Sequence, residues 1–200
     1  MLFPIDYWPL LKGHAQAKNL DPYLVAALVA QESTFDAGIR SSAKAVGLMQ
    51  LLPSTGRLYA RKTGMRGFSE RTLTNAETNV QLGTQYFTDL IARFGAPHLA
   101  LASYNAGEHR VQRWVNETPD LPQDEFIDNI PFPETQNYVK RILGTAEDYR
   151  RLYGEGVQPP AVTRPPTKSP PRKSTASPSK RTPAKKTPAR STTRQRTTRP

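Results

Sequence analysis

The chain contains no cysteine. Disulfide bonds, thiolate nucleophiles and cysteine-based zinc sites are therefore excluded. No long hydrophobic run is present either, because the longest uninterrupted one covers only residues 24–30 and is far too short to span a bilayer. The N-terminal residues lack a basic region followed by an apolar one, so they do not read as a signal peptide. His14, His98 and His109 lack close ligand spacing, and we expect no metal and no cofactor.

Acidic residues are missing from the C-terminal part of the chain. Residues 161–200 hold 12 Lys or Arg and no Asp or Glu, whereas residues 1–160 have a net charge of −1. This segment has no aromatic residue and one branched aliphatic residue, Val162, so it cannot bury enough apolar surface to offset the entropy of ordering. We therefore expect a folded domain over 1–156 and a disordered basic tail, rich in Pro, Ser, Thr, Lys and Arg, over 157–200.

The predicted tail is a tethered polycation. Such a segment binds anionic polymers in a salt-dependent manner, whether wall polymers, a membrane surface or nucleic acid. A solubilising spacer without a specific partner is an equally open interpretation. The absence of aromatic residues removes any platform for base stacking and argues against specific recognition of single strands.

The remaining sequence is typical of a mainly α protein, because no stretch alternates with period two for long enough to predict a sheet. Asp21 and the proline after it open a helix that ends near Ser33. Asn75 caps a longer helix that Gly95 ends, and a last helix is predicted over 133–153. Shorter helices are predicted from about Ser54 to Gly64 and around 99–104, 109–115 and 123–129.

Glu32 is the most informative residue. Val25, Leu28, Val29 and Glu32 follow i, i+3, i+4, i+7 spacing, which places a carboxyl group on an apolar helical stripe. A partly desolvated carboxyl group there has a raised pKa and holds a proton near neutral pH, as a general acid requires. The alternative interpretation is a glutamate at the rim of the stripe that reaches water.

Three further elements accompany Glu32, and each is a weak signal by itself. The turn Gly47-Leu48-Met49-Gln50 also occurs as a core turn, and Tyr104-Asn105-Ala106-Gly107 is an ordinary helix end. Glu134 and Tyr138 are four residues apart and share a helical face.

Together, in this order and spacing, these elements resemble the lytic transglycosylase family. The resemblance is to the catalytic domain at the C-terminal end of the soluble lytic murein transglycosylases and runs from about Pro4 to about Leu152. It implies a lysozyme-like, goose-type helical fold with a cleft for peptidoglycan glycan strands. It also implies a location in the periplasm or cell envelope. We expect the protein to be a monomer.

The resemblance also implies a reaction and its residues. Glu32 would be the single acid and base that cleaves the β-1,4 bond between N-acetylmuramic acid and N-acetylglucosamine, leaving 1,6-anhydro ends. Tyr104 would hydrogen-bond and orient Glu32, and Ser33 would position the acetamido or leaving group. The implied substrate-binding residues are Gln50, Met49, Gly47, Asn105, Glu134 and Tyr138.

Alternative interpretations of the acidic residues and of the reaction remain open. Asp36 follows Glu32 by four residues, but a solvated turn aspartate is favoured there. Glu134 is either a cleft acid or a structural residue that pairs with Arg141 or caps its own helix. Lysozyme-type hydrolysis and a catalytically silent module that binds peptidoglycan or polyanions are the alternatives to lytic cleavage. Two departures from the family pattern are Ser103, where alanine is common, and Gln136, where arginine is frequent.

Overall fold

The computed structural model describes residues 5–154, which form eight α-helices and one short 3-10 helix. The expected boundary at residue 156 and the basic tail lie outside the described residues. None of the helices within 5–154 combines the length and apolar character that a membrane span requires. The elements are α1 (Trp8–Gln16), α2 (Pro22–Ser33), α3 (Pro53–Lys62), the 3-10 helix (Glu70–Thr74), α4 (Ala76–Phe94), α5 (Pro97–Ala106), α6 (Glu108–Glu117), α7 (Gln123–Asp128) and α8 (Pro133–Tyr153).

Helix α2 is the central element of the fold. Its start is fixed by Asp21, whose side chain accepts a hydrogen bond from the backbone N–H of Tyr23 at 2.9 Å, and by proline at the first helical position. The residues from Leu24 to Val29 are all buried, so the helix is apolar on every side, as expected for a helix inside a core. The long helix α8 packs along it, and α5 packs against both α4 and α8.

The core has two parts. The larger part surrounds α2, and a smaller one lies between the loop before α3, the 3-10 helix and α4. Tyr86 and Tyr104 contact both parts, with ring centroids 5.0 Å apart. The smaller part consists of Val46, Leu51, Tyr59, Ala60, Leu73 and Leu82.

Asn79 on α4 connects the smaller core to the loop that precedes α3. Its side chain is fully buried. The amide nitrogen donates to the backbone carbonyls of Val46 at 2.8 Å and Leu73 at 2.9 Å, and the amide oxygen accepts from the N–H of Met49 at 2.8 Å. One side chain thus bonds three buried backbone groups, of which the carbonyl of Val46 also accepts from the N–H of Leu51 at 3.1 Å.

Gly47 permits this arrangement. Its φ of 80° is in the left-handed region that favours glycine. A Cβ atom there would lie 2.3 Å from the carbonyl oxygen of Leu73 and 2.4 Å from the amide nitrogen of Asn79. The glycine is therefore required for the close approach of α4 to the loop.

Most helix boundaries predicted from the sequence are confirmed. Helix α2 ends at Ser33, α4 follows the Asn75 cap and stops at Gly95, and α8 covers 133–153. Helix α3 begins at Pro53, one residue before the predicted Ser54. Helix α1 and the 3-10 helix were not predicted.

Ser103 leads to a prediction about stability. Its side chain is fully buried on α5, and its hydroxyl group has no hydrogen-bond partner among the described residues. Because an unsatisfied buried hydroxyl group is costly, Ser103→Ala is expected to raise the free energy of unfolding by about 1 kcal/mol. Urea denaturation measures this, and a loss of stability would show that the hydroxyl group has a partner such as a buried water molecule.

Candidate active site

Glu32 is the second-last residue of α2. The helix ends directly after it, because Thr34 adopts a left-handed conformation with φ 50°. The side chain of Glu32 is half-buried. Burial raises the pKa of its carboxyl group to about 7, opposed by a hydrogen bond from Tyr138. Its position at the negative end of the helix dipole acts in the same direction as burial. A substantial fraction of Glu32 is therefore protonated at neutral pH.

Tyr138 holds the carboxyl group of Glu32. Its hydroxyl group donates to Oε1 of Glu32 at 2.5 Å. The phenol is 7% exposed, and burial raises its pKa well above the ordinary value, with further contributions from the adjacent Glu32. The phenol therefore stays protonated and can donate a hydrogen bond at neutral pH. Since Tyr138 occupies Oε1, the carboxyl proton belongs on Oε2.

This hydrogen bond corrects one expectation. Tyr104 was predicted to hydrogen-bond Glu32, but its hydroxyl group donates to the backbone carbonyl of Met49 at 2.7 Å. A phenol has one proton to donate, so the donor to Glu32 is Tyr138 instead. Burial is the main cause of a raised pKa for the Tyr104 phenol, and the nearby charge of Glu32 is the next contribution. Tyr104 therefore lies close to Glu32 without this hydrogen bond. It joins α5 to the loop before α3.

A polar pocket lies beside Tyr138. It is formed by the exposed end of α2, the end of α5 and one face of α8. Thr135 of α8 donates to the side-chain oxygen of Asn105 on α5 at 2.6 Å and so fixes one wall. The residues that line the pocket are Gln31, Asn105, Glu134, Asn137, Tyr138 and Arg141.

Glu134 makes neither the ion pair with Arg141 nor the capping hydrogen bond that were considered for a structural role. It is exposed in the first turn of α8 and caps no backbone group there. Within residues 5–154, neither Glu134 nor Arg141 has an ion-pair partner, although both line the pocket. The pocket thus contains one free carboxylate and one free guanidinium group. Asp36, as predicted, is an exposed turn residue, and its carboxylate accepts from the N–H of Gly38 at 2.8 Å.

Three residues predicted to contact substrate are buried. Ser33 is 3% exposed, and its hydroxyl group donates to the carbonyl of Val29 at 3.1 Å. The side chain of Met49 is fully buried against Gly83. Gly47 approaches Asn79 rather than a ligand. The side chains of Ser33 and Met49 are thus turned into the core, and substrate contact by these two residues and Gly47 stays a prediction.

Two other predicted substrate-binding residues, Gln50 in the loop before α3 and Asn105 near the end of α5, are partly or fully exposed. The amide nitrogen of Gln50 donates to the carbonyl of Gly47 at 2.9 Å, which fixes the side chain against its own turn. Asn105 is exposed and lines the pocket. Gln136, the departure from the family pattern, donates to the carbonyls of Ile127 and Asp128 and satisfies the end of α7.

Sequence reasoning missed several residues of the site. Asn79 was not singled out, although an amide on the buried face of a helix is a signal for a side chain that binds the backbone. Gln31 and Asn137 had no signal beyond polarity. Their place in the pocket depends on how α8 packs against α2.

The fold is that of known lytic transglycosylase structures. The lytic transglycosylase Slt from Pseudomonas aeruginosa, solved as an inactive mutant, superposes with a TM-score of 0.73 at 35% identity, over 78% of this chain and 26% of that one. The 70 kDa soluble lytic transglycosylase from Escherichia coli in complex with bulgecin A gives a TM-score of 0.72 at 33% identity, over 76% and 25% of the two chains.

The family model for the transglycosylase SLT domain matches residues 9–127. The chain therefore belongs to this family. It is also 33% identical over 156 residues to the soluble lytic murein transglycosylase of Escherichia coli K12, covering 76% of this chain and 24% of that protein. The endo-type membrane-bound lytic murein transglycosylase A of Klebsiella pneumoniae strain 342 is 31% identical, over 69% of this chain and 79% of the relative. The chain thus spans about a quarter of the length of the soluble relatives.

Proposed function

We propose that this protein is a peptidoglycan lytic transglycosylase that cleaves the β-1,4 bond between N-acetylmuramic acid and N-acetylglucosamine. The products carry 1,6-anhydro-N-acetylmuramic acid ends. The observation that carries the proposal is a half-buried carboxyl group, Glu32, with a pKa of about 7 and a hydrogen bond from Tyr138, next to an open polar pocket. A carboxyl group poised near neutral pH can both give and take a proton.

In the first step Glu32 acts as the acid. Its proton passes to the glycosidic oxygen as the bond from that oxygen to the anomeric carbon breaks, and the electron pair of the bond remains on the leaving sugar. Positive charge develops at the anomeric carbon and is shared with the acetamido group of the muramic acid. The hydrogen bond from Tyr138 stabilises the carboxylate that forms.

In the second step the same residue acts as the base. Glu32 takes the proton of the 6-hydroxyl group while that oxygen attacks the anomeric carbon and closes the anhydro ring. The carboxyl group is then protonated again and ready for another cycle. No water enters the product, and no second carboxylate is required. The acidic groups considered for that role are Asp36, which is engaged in a turn, and Glu134.

The relatives support this proposal. Those compared are named as lytic murein transglycosylases, and the mutant of the Pseudomonas aeruginosa enzyme that is described as inactive carries a glutamate-to-glutamine change. They are named for murein, a polymer of the cell envelope, which supports an activity in the envelope. We propose the same location for this chain, with the protein acting as a monomer.

Product analysis tests the proposal. Purified protein is incubated with peptidoglycan, and the released muropeptides are analysed by mass spectrometry. We expect anhydro ends. Products heavier by one water molecule, with reducing ends, would contradict lytic cleavage and identify a hydrolase.

Lysozyme-type hydrolysis is the second candidate, and the free carboxylate of Glu134 in the pocket favours it, because in the usual hydrolytic schemes a second carboxylate acts as the base that activates water or as the nucleophile. Under the lytic proposal, Glu134→Gln affects KM more than kcat and leaves the products anhydro. Under the hydrolytic one it removes most of kcat.

The two tyrosines lead to a paired prediction. The hydrogen bond from Tyr138 favours the ionised form of Glu32, so Tyr138→Phe raises the pKa of Glu32 further. The alkaline limb of the pH profile of kcat/KM is expected to move to higher pH by about 1–2 units, while the rate falls. Tyr104→Phe is the control. This variant loses only the hydrogen bond to the carbonyl of Met49, so the alkaline limb of its pH profile should not move. An equal movement in both variants would contradict the assignment.

For the C-terminal part we propose a separate role. The catalytic domain ends near residue 156, and the 12 positive charges of residues 161–200 bind anionic polymers. Deletion of 161–200 is expected to preserve the products while removing a salt-sensitive share of peptidoglycan binding. Loss of all cleavage on deletion would contradict this division.

A further inference from the structure

Charge is segregated within the folded part of the chain. Residues 37–76 carry seven Lys or Arg and one Asp or Glu, a net charge of +6, whereas the rest of residues 5–154 carries nine against fifteen, a net charge of −6. Residues 37–76 contain the loop before α3, α3 itself and the 3-10 helix, and we call them the basic lobe. The balanced total of residues 5–154 thus conceals two sets of residues with opposite net charge.

Most of these cations are free. Arg40 pairs with Glu70, and Lys62 pairs with Asp89. The other five are exposed and have no ion-pair partner among the described residues. They are Lys44, Arg57, Arg61, Arg66 and Arg71. Four of the five are arginine, whose planar guanidinium group binds phosphate through two parallel hydrogen bonds.

Helix α3 adds an apolar element to this charge. Its inner face is buried through Gly56, Tyr59 and Ala60. On the outer face Arg57 and Arg61 are four residues apart and flank Leu58, which is 54% exposed. An exposed leucine between two arginines combines the apolar and basic groups that helices at a membrane interface use.

We propose that the basic lobe docks on an anionic phospholipid surface, with α3 against the bilayer. Arg57 and Arg61 bind lipid phosphates, and Leu58 enters the boundary between headgroups and acyl chains. The negative remainder of the domain is repelled by the same surface, so electrostatics orient the molecule with the lobe toward the membrane. This inference does not rest on the catalytic proposal.

The absence of cysteine allows a direct test with the full chain, since one introduced cysteine is the only thiol. Leu58→Cys and the control Asn116→Cys, at an exposed position on α6, are each labelled with a nitrobenzoxadiazole fluorophore. The labelled proteins are mixed with vesicles of phosphatidylcholine, with and without phosphatidylglycerol. We expect a blue shift and an intensity rise at position 58 only, and only with phosphatidylglycerol.

Matched charge variants separate the lobe from the basic tail, which is identical in all of them. In the Leu58→Cys protein, Arg57→Gln with Arg61→Gln is expected to lower partitioning about 30-fold. Arg113→Gln with Arg151→Gln, which removes two exposed charges outside the lobe, is expected to leave partitioning within about twofold of the parent because neither residue belongs to the docking surface proposed. Vesicle binding without a shift at position 58, or equal shifts at 58 and 116, would overturn the proposal. So would an equal shift on adding inorganic polyphosphate, since the partner would then be a soluble phosphate polymer.

Discussion

Replacing Glu32 with glutamine is expected to abolish glycan cleavage, with a loss of about a thousandfold or more. Removing a general acid or base alone costs about 10²–10⁴-fold, and here one residue performs both proton transfers. The amide keeps the shape of the side chain and still accepts the hydrogen bond from Tyr138, so folding and glycan binding should be retained. Muropeptide release and binding to insoluble peptidoglycan measure the two effects separately. Retained cleavage in this variant would remove Glu32 from the mechanism.

The same variant has a second expected effect, on stability. The pKa of Glu32 is about 7 in the folded state and 4.5 in the ordinary, unfolded state. The protonated carboxyl group therefore stabilises the fold relative to the ionised one. This stabilisation is fully present below pH 4.5 and is lost as the pH rises through 7. By linkage, the ionised form costs about 3 kcal/mol in the folded state. Glu32→Gln should therefore match the parent near pH 4 and exceed its free energy of unfolding by about 3 kcal/mol near pH 8.5.

Urea denaturation at the two pH values measures this difference. The control is Glu125→Gln, an exposed glutamate on α7, which is expected to change stability by less than about 0.5 kcal/mol at either pH. Equal stability of parent and Glu32→Gln at the higher pH would contradict the burial of an ionisable group at this site.

A large loss of stability is expected for Asn79→Ala. The substitution leaves the N–H of Met49 and the carbonyl of Leu73 without the partner that Asn79 supplies in the core. It also removes one of the two hydrogen bonds to the carbonyl of Val46, which still accepts from the N–H of Leu51. Each unsatisfied buried group costs about 1–3 kcal/mol, and partial relaxation of the loop reduces the sum. We expect a decrease of about 4 kcal/mol in the free energy of unfolding, measured by urea denaturation.

Asn116→Ala provides the comparison. Asn116 is exposed on α6 and accepts only from Gln112 at 3.2 Å, so its loss should change stability by less than about 0.5 kcal/mol. Similar small effects in both variants would show that the loop before α3 does not depend on Asn79. The carbonyl of Met49 in that loop also accepts the hydrogen bond from Tyr104, which lies near Glu32. The Asn79 variant should therefore lose activity together with stability.

Local features of the sequence were sufficient to locate most helices. Helices α2, α4 and α8 have strong boundary signals, namely Asp21 before proline, the Asn75 cap and Pro133. Helix α1 was missed because its cap residue, Tyr7, is left-handed and its side chain caps no backbone group. Its boundaries depend on packing rather than on capping residues.

The site was predictable only in part. Glu32 could be found because a carboxyl group on an apolar stripe is locally anomalous. Its hydrogen-bond partner could not, because Tyr138 is 106 residues away and meets Glu32 only through the packing of α8 on α2. The burial of Ser33 and Met49 could not be predicted either, because the exposure of a side chain depends on how the helices pack together.

The titration of Glu32 tests the central claim most directly. The protein is labelled with ¹³C at the glutamate carboxyl carbons, and the resonance missing from Glu32→Gln is assigned to Glu32. We predict that this resonance titrates near pH 7, and above 7 in Tyr138→Phe. A midpoint near 4.5, as for an exposed glutamate, would show that the carboxyl group is ionised at neutral pH and would contradict its role as the acid.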